Sequence, residues 1–354
     1  IISPGDLVAV KIHFGEPGNH RLIHPSHIRV IVDEIKAVGG NPIIVDTTGI
    51  GLTNPRGTAI GCLEAATIHG YTHQTLGAPL IVADGLKGFS GVKVTLKGNY
   101  RLKEVYVASV IAEADVLISI AHGKGHPRTG FAGAIKNLGV GCVTKQTKAE
   151  LHLAVKPEVK PSKCDGCGVC VKFCPVKAID LVNGKAVINQ DKCLWGCGCW
   201  SICPQNAITG WSEMHRENTE LSALIAEAAA AVINMVGKEK VAYINMLYNI
   251  TPHCDCFAFG DLPIVPDIGI MASRDPVAID KASIDLVNQS AGLPGSAVDE
   301  LGAVAPGADK FVVLNEYPPS RFAKAHGKPD WRAMLKRAVE IGLGRLDYRL
   351  IRVD

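Results

Sequence analysis

The chain has 354 residues, 47% of them hydrophobic and 20% charged, which is the balance of a folded protein with a sizeable core and excludes a disordered chain. Lysine and arginine (37) exceed aspartate and glutamate (34) by only three, with no long single-sign block, so the charge gives no support to nucleic-acid binding. The most apolar stretch, Leu221 to Val236, carries Ser222, Glu227 and Asn234 and reads as a buried helix; no membrane span of about 20 nearly charge-free residues is predicted.

The first 150 residues alternate short apolar runs with amphipathic stretches. Leu7 to Ile12 predicts a buried strand, and Ile28, Ile31, Val32, Ile35 and Val38 recur at helical spacing until Gly39-Gly40 stops the turn. Further strands are predicted at Ile43 to Val45, Leu80 to Ala83 and Val116 to Ile120. Val155 to Lys163, with Pro157, Pro161 and several lysines, reads as a stiff polar linker. Beyond Trp211 the pattern predicts a helix over Thr219 to Val236, a strand over Val241 to Leu247 and another near Ile268 to Met271. Asp275-Pro276 then marks a helix start, an N-cap aspartate followed by proline at the first helical position. A last helix runs from Trp331, with Met334, Leu335, Ala338 and Val339 on one face, to Gly342. The alternation predicts an α/β fold, a layered and largely parallel sheet with helices, and the eight cysteines from Cys164 to Cys203, spaced as in ferredoxins, predict that a small α+β ferredoxin-like insert interrupts it. The boundaries are 1–155 and 213–354 for the two parts of the α/β domain and 156–212 for the insert.

Eight of the twelve cysteines fall between Cys164 and Cys203, too regular for a disulfide framework and with no secretory signal visible after Ile1. Cys164, Cys167, Cys170 and Cys174-Pro175 follow Cys-x2-Cys-x2-Cys-x3-Cys-Pro, the run that wraps a [4Fe–4S] cube with three close thiolates while the fourth reaches a second cluster. Structural zinc, the alternative, needs only four of these cysteines. The segment repeats: Lys163-Cys164 to Cys174-Pro175 and Ala178-Ile179 are echoed by Lys192-Cys193 to Cys203-Pro204 and Ala207-Ile208. The second run departs from the first. Cys193, Cys197, Cys199 and Cys203 keep the ten-residue span but place Gly196 where a thiolate belongs, so a bulge around Trp195-Gly196 is needed to restore the geometry; a three-iron or altered cluster is the alternative. Interleaving predicts two [4Fe–4S] clusters, one on Cys164, Cys167, Cys170 and Cys203, the other on Cys193, Cys197, Cys199 and Cys174.

Trp195, Trp200 and Trp211 lie close in sequence to the second run and either shield a cluster from water or simply fill a small core. Nine lysines from Lys145 to Lys192 stand against five acids and read as a solvated face, with docking of an acidic carrier as the alternative. Elsewhere, apolar strands end in polar groups: Leu7 to Ile12 in His13 and Glu16, Ile43 to Val45 in Asp46, and Val116 to Ile120 in His122, Lys124 and His126. Ligands bind at the carboxyl ends of parallel strands, so these groups are expected to share a crevice, and His13, Glu16, His122, Lys124 and His126 are the catalytic candidates. His253, Cys254 and Cys256 offer metal-ligand types that Cys142, His122 or His126 would complete to a mononuclear site, unless the thiols are merely buried. Lys124 and Arg128 among Gly123, Gly125 and Gly130 predict a flexible basic loop for an anion. His20, His24 and His27 are expected to be exposed.

Lys11-Ile-His-Phe-Gly-Glu16, Ala114 to Ser119 leading to Lys124-Gly-His126, Ala134-Ile-Lys-Asn-Leu138, His253-Cys-Asp-Cys256 and Ala272 to Asp280 together resemble the family described as domain of unknown function 362, in the version with an inserted ferredoxin domain. The end of the chain, Gly342-Leu-Gly344 to Tyr348, fits it too. The resemblance implies an α/β fold and a cytoplasmic iron–sulfur protein of the kind found in anaerobes, and no settled reaction. A plain ferredoxin needs only about 55 to 80 residues, so the rest of the chain is expected to bind something. Three functions stay open. The clusters relay electrons between a redox partner, a ferredoxin or a reductase, and a site in the α/β domain; or a reductase works at a metal near His126, Cys254 and Cys256; or an accessory protein donates electrons or a cluster to another enzyme. A homodimer is compatible with each.

Overall fold

A computed structural model describes residues 1–317 and 326–353. In chain order the strands are β1 (Leu7–Lys11), β2 (Asn41–Asp46), β3 (Leu80–Val82), β4 (Gly91–Thr95), β5 (Glu104–Ala108), β6 (Val116–His122), β7 (Lys124–His126), β8 (Gly130–Ala132), β9 (Ile179–Val182), β10 (Lys185–Ile188), β11 (Val241–Leu247) and β12 (Gly269–Ser273). Six of them make the central sheet in the order β12-β11-β6-β1-β2-β3. All neighbours in it run parallel except β12, which lies antiparallel on β11 at the edge. The chain therefore winds outward one way from β1 through β2 and β3, then returns to the other side of β1 with β6. The β1/β6 junction is the point where the direction of winding reverses, and such a junction opens a crevice beyond the strand ends.

Both faces of the sheet are covered, which is why its strands read as continuous apolar runs. Along β1 the side chains alternate between two cores: Val8 and Val10, with Ile12 beyond, join one with Ile28, Val32 and Ile35 of the helix Pro25–Ala37, while Ala9 joins the other. That helix starts on His24, whose side chain accepts from the Ser26 amide, with Pro25 in its first turn. Val38, expected on its buried face, caps the end and is exposed. The second core is built around the helix Asn218–Val236, packed on the helices Ala134–Gly139 and Trp331–Glu340. Among the described residues Asn218–Val236 alone has the length and apolarity to cross a membrane, yet it lies inside this core. Its Glu227 is fully buried, receives the amides of Arg101 and Leu102, and pairs with Arg337 at 2.6 Å. On the last helix Met334, Leu335 and Ala338 face the core, whereas Val339 points outward because it falls about 100° around the helix from Ala338.

The cysteine segment enters and leaves through one neck. Leu153 bridges to His215, and further on Val159 bridges to Ile208, so the stretch expected to be a plain linker is paired within the insert. The internal sequence repeat is also a structural one. Lys177 follows Cys174 in the first half as Asn206 follows Cys203 in the second, and both adopt left-handed backbone, with φ of 50° and 48°.

Candidate functional site

The carboxyl ends of β1, β2 and β6 and the segment after β11 surround a cavity of about 650 Å³. His13, Glu16, Asp46, His122, Lys124, His126, Cys254 and Cys256 all line it, as do Lys11, Arg56, Lys136, Asn137 and Lys148. Asp46 is buried between Lys11 at 3.0 Å and His13 Nδ1 at 3.0 Å, and it accepts the Phe14 amide. Burial opposes its charge, but Lys11 and then His13 hold the carboxyl well below the usual range. Arg56 pairs with Glu16 at 2.8 Å. Lys148 donates to Thr47 Oγ1 and the Thr48 carbonyl, and burial draws its pKa down. Five cationic side chains line the wall; Lys11, Arg56 and Lys124 are paired with Asp46, Glu16 and Asp255, while Lys136 lies against Cys254 and Lys148 against Thr47 and Thr48.

The tripeptide Cys254-Asp255-Cys256 is pinned from below. Asp255 accepts from Lys124 at 2.9 Å and faces His122 Nδ1 at 3.0 Å, and its carbonyl accepts the Glu16 amide. Those contacts turn Asp255 into the protein while both neighbouring thiols face the cavity. Lys136 lies 3.6 Å from Cys254 Sγ, and His126 Nε2 lies 3.9 Å from Cys256 Sγ. A donated hydrogen bond from Cys256, and then Lys136, hold the Cys254 thiol well below its ordinary pKa; the same pairing pushes Cys256 up.

Of the expected mononuclear group, His126, Cys254 and Cys256 come within 4.8 Å of one another. His253 and Cys142 do not join them. The His253 ring turns away to pack on Phe257, Phe259 and Tyr317, and Cys142 is buried in the apolar core, where desolvation pushes its thiol up to about 12. His122 is likewise engaged elsewhere, by Asp255 on one nitrogen and the Tyr248 carbonyl on the other. The expected flexible loop at 123–130 is a buried hairpin of β7 and β8, and Arg128 is spent on Asn218 and the Arg216 carbonyl. Nor are the nine lysines one solvated face: Lys145 and Lys148 are buried, with Lys145 Nζ on the Gly57 carbonyl. His20 and His24 are exposed, while His27 is half-buried against Tyr248.

Within the insert, two small cavities each gather four thiols. One is lined by Cys164, Cys167, Cys170 and Cys203, the other by Cys174, Cys193, Cys197 and Cys199. Backbone amides point at the sulfurs in matching places: Ala178 donates to Cys174 and Ala207 to Cys203, each at 3.3 Å. Burial pushes the Cys197 and Cys199 thiols up to about 12, so such a group of protonated sulfurs is poorly served until a metal takes the protons' place. Soft sulfur donors in two sets of four, with amides aimed at them, fit iron–sulfur clusters.

The irregular second run has a physical reason. Trp195 and Gly196 are consecutive left-handed residues, φ 56° and 65°, and this bulge returns Cys197 to the wall of the second cavity. A side chain at Gly196 would stand 2.9 Å from the Lys145 carbonyl. The bulge docks on the α/β domain, where Gly51 and Leu52 donate to the carbonyls of Gly196 and Cys197. Trp200 faces both sides: it lines the second thiol cavity and also, with Gly198 and Ser201, the 650 Å³ cavity. Trp211 stacks on it with ring centroids 5.6 Å apart. Sequence reasoning did not single out Arg56, Lys136, Asn137 or Lys148 as site residues; Arg56 and Lys148 carry no local signal, whereas Lys136 and Asn137 stand in Ala134-Ile-Lys-Asn-Leu138, one of the stretches that carry the family resemblance.

The sequence profile of the family described as domain of unknown function (DUF362) matches residues 8–285. A ferredoxin from Pyrobaculum islandicum is 36% identical over 66 residues, 18% of this chain and 62% of that protein. A component of an ion-translocating oxidoreductase complex from Methanosarcina acetivorans is 50% identical over 46 residues, 13% of this chain and 17% of that protein. The chain thus spans less than two thirds of these relatives, and the likeness is to iron–sulfur electron carriers over a short segment. The solved lactate racemase apoprotein from Thermoanaerobacterium thermosaccharolyticum aligns with 69% of this chain and 43% of that one, at 14% identity and a TM-score of 0.35. With the profile covering most of its length, the chain belongs to the DUF362 family.

Proposed function

We propose that this protein is an iron–sulfur redox protein that relays single electrons between a soluble partner, a ferredoxin or a reductase, and the cavity in its α/β domain. Cys164, Cys167, Cys170 and Cys203 would hold one [4Fe–4S] cluster, and Cys174, Cys193, Cys197 and Cys199 the other. When bound, such clusters supply reversible one-electron storage. The chain's own residues set the path. Cys167 is exposed, which leaves the first thiol group open to a docking partner, whereas Trp195 and Trp200 cover the second and keep water from it. The cationic wall of the large cavity favours an anionic molecule there.

One observation carries the reading: Trp200 belongs to the second cysteine run and is at the same time wall to both its thiol cavity and the large one. The test is anaerobic purification followed by iron and sulfide analysis and electron paramagnetic resonance of the reduced protein. About eight irons and eight sulfides per chain are expected, falling to about four of each in Cys199→Ser. Colourless protein with zinc on these cysteines would sink it.

A further inference from the structure

We propose that Cys254 and Cys256 are a redox-active dithiol that reduces the disulfide bond of a negatively charged small molecule bound in the large cavity. The inference rests on the function proposed above for one thing only, the source of the electrons that restore the dithiol.

The backbone brings the two sulfurs together. The Phe257 amide donates to the Cys254 carbonyl at 3.0 Å, so Cys254 opens a turn with Asp255 and Cys256 at its centre. Residues two apart in such a turn have Cα atoms about 5.5 Å apart, inside the usual range for a disulfide. Asp255 is drawn down by His122 and Lys124, and both thiols are left on the cavity side. Their surroundings differ as the two halves of an exchange couple must. Cys254 has the Lys136 ammonium at 3.6 Å, which favours its thiolate, while Cys256 has the His126 imidazole at 3.9 Å.

The same trio is a poor metal site. His126 Nδ1 accepts the amides of Arg128 and Thr129, at 3.2 and 3.1 Å, so the ring proton sits on Nε2, the nitrogen that faces Cys256. A metal-bound imidazole has the opposite arrangement, with its second nitrogen donating outward. Here His126 Nε2–H is instead a donor for a thiolate or for a leaving sulfur. The cavity, at about 650 Å³, suits a small molecule, and its cationic lining suits an anion.

Cys254 Sγ attacks one sulfur of R–S–S–R′; that bond breaks, a mixed disulfide with Cys254 forms, and R′S⁻ leaves. Cys256 gives up its proton and attacks Cys254 Sγ, forming the intramolecular disulfide and releasing RS⁻. The substrate has gained two electrons and the dithiol has lost two; the departing thiolates take one proton from Cys256 and one from solvent. Return to the starting pair, Cys254 as thiolate and Cys256 as thiol, consumes one proton and two electrons, the electrons from a one-electron iron–sulfur donor acting twice.

Anaerobic holoprotein is mixed with one equivalent of 5,5′-dithiobis(2-nitrobenzoate), an anionic disulfide, then alkylated and mapped by mass spectrometry. Wild type is expected to show a Cys254–Cys256 disulfide that reverts to two alkylated cysteines after reduced methyl viologen. Cys256→Ser should trap a thionitrobenzoate adduct on Cys254, and cystamine, a cationic disulfide, should react about tenfold more slowly or worse. Unchanged cluster absorption in Cys256→Ser shows that the variant is folded. Absence of that adduct on Cys254 in iron-replete protein overturns the proposal, as does one further metal ion per wild-type chain that the Cys254→Ser/Cys256→Ser double variant loses. The first exchange needs no iron. A preparation that exchanges but lacks iron therefore defeats the relay and not the dithiol, and an iron-replete one that fails to exchange defeats the dithiol alone.

Discussion

The insert and the α/β frame hold themselves together by different means. The frame has two extensive apolar cores, one on each face of the six-stranded sheet, in which side chains such as Val8, Ile44, Leu117 and Val241 are fully buried. The insert has only five buried members in its own apolar cluster, and two of those are Cys170 and Cys199. A segment of that size cannot meet its conformational entropy by apolar burial, so its fold is expected to depend on what the thiols hold. The frame needs no such help. The contrast suits a division of labour in which one part carries charge and the other shapes a binding cavity.

The largest expected effect breaks the comparison most directly. Anaerobic removal of iron by a chelator should unfold residues 156–212, seen as fast amide exchange and new proteolytic cuts there, while β1, β2, β6 and β11 keep their protection. Equal loss of protection in both regions would show that the frame too leans on the metal. Next comes a change confined to the frame. Glu227→Ala leaves the Arg337 guanidinium and the amides of Arg101 and Leu102 without their buried acceptor, and should cost about 3–5 kcal/mol in denaturant unfolding of the frame. Absorption per iron should not change. A shifted cluster spectrum in Glu227→Ala would mean the two parts are coupled more tightly than their separate cores suggest.

Much of this was legible in the sequence, and for physical reasons. Parallel strands covered on both faces have no polar side, so Leu7 to Ile12, Val116 to Ile120 and Val241 to Leu247 stand out as apolar runs, and Asp275-Pro276 marks its helix through a cap that does accept the Val277 and Ala278 amides. The gathering of His13, Glu16, His122, Lys124 and His126 followed from strand direction alone. Side-chain direction did not follow. Nothing local tells that Asp255 turns inward and its two neighbours outward, because His122 and Lys124, which pull it, lie more than a hundred residues away. For the same reason His253 looked like a ligand and Lys136 was not marked out. Asn183-Gly184 is a shorter-range lesson: both have positive φ, as a tight hairpin between β9 and β10 requires, a signal carried by the dipeptide itself.

That hairpin and the Trp195-Gly196 bulge give the finest probe of how insert and frame meet. Gly184 has φ of 72° with open space around the missing side chain, so Gly184→Ala bears only the strain of the left-handed backbone, about 1 kcal/mol, all of it within the insert. Gly196 has nearly the same φ, but its added methyl would press on the Lys145 carbonyl at 2.9 Å and on Ala149. Gly196→Ala should therefore cost about 1–3 kcal/mol and spend part of it prising the second cysteine run from the frame. Melting of the holoprotein measures the cost of each. Iron analysis and the resonance spectrum locate it: Gly184→Ala should keep all its iron, whereas Gly196→Ala should lose iron from the group of Cys174, Cys193, Cys197 and Cys199 before the other. Equal behaviour of the two variants would mean that the bulge rests on the frame without depending on it, and the path through Trp200 would then lack the fixed wall it needs.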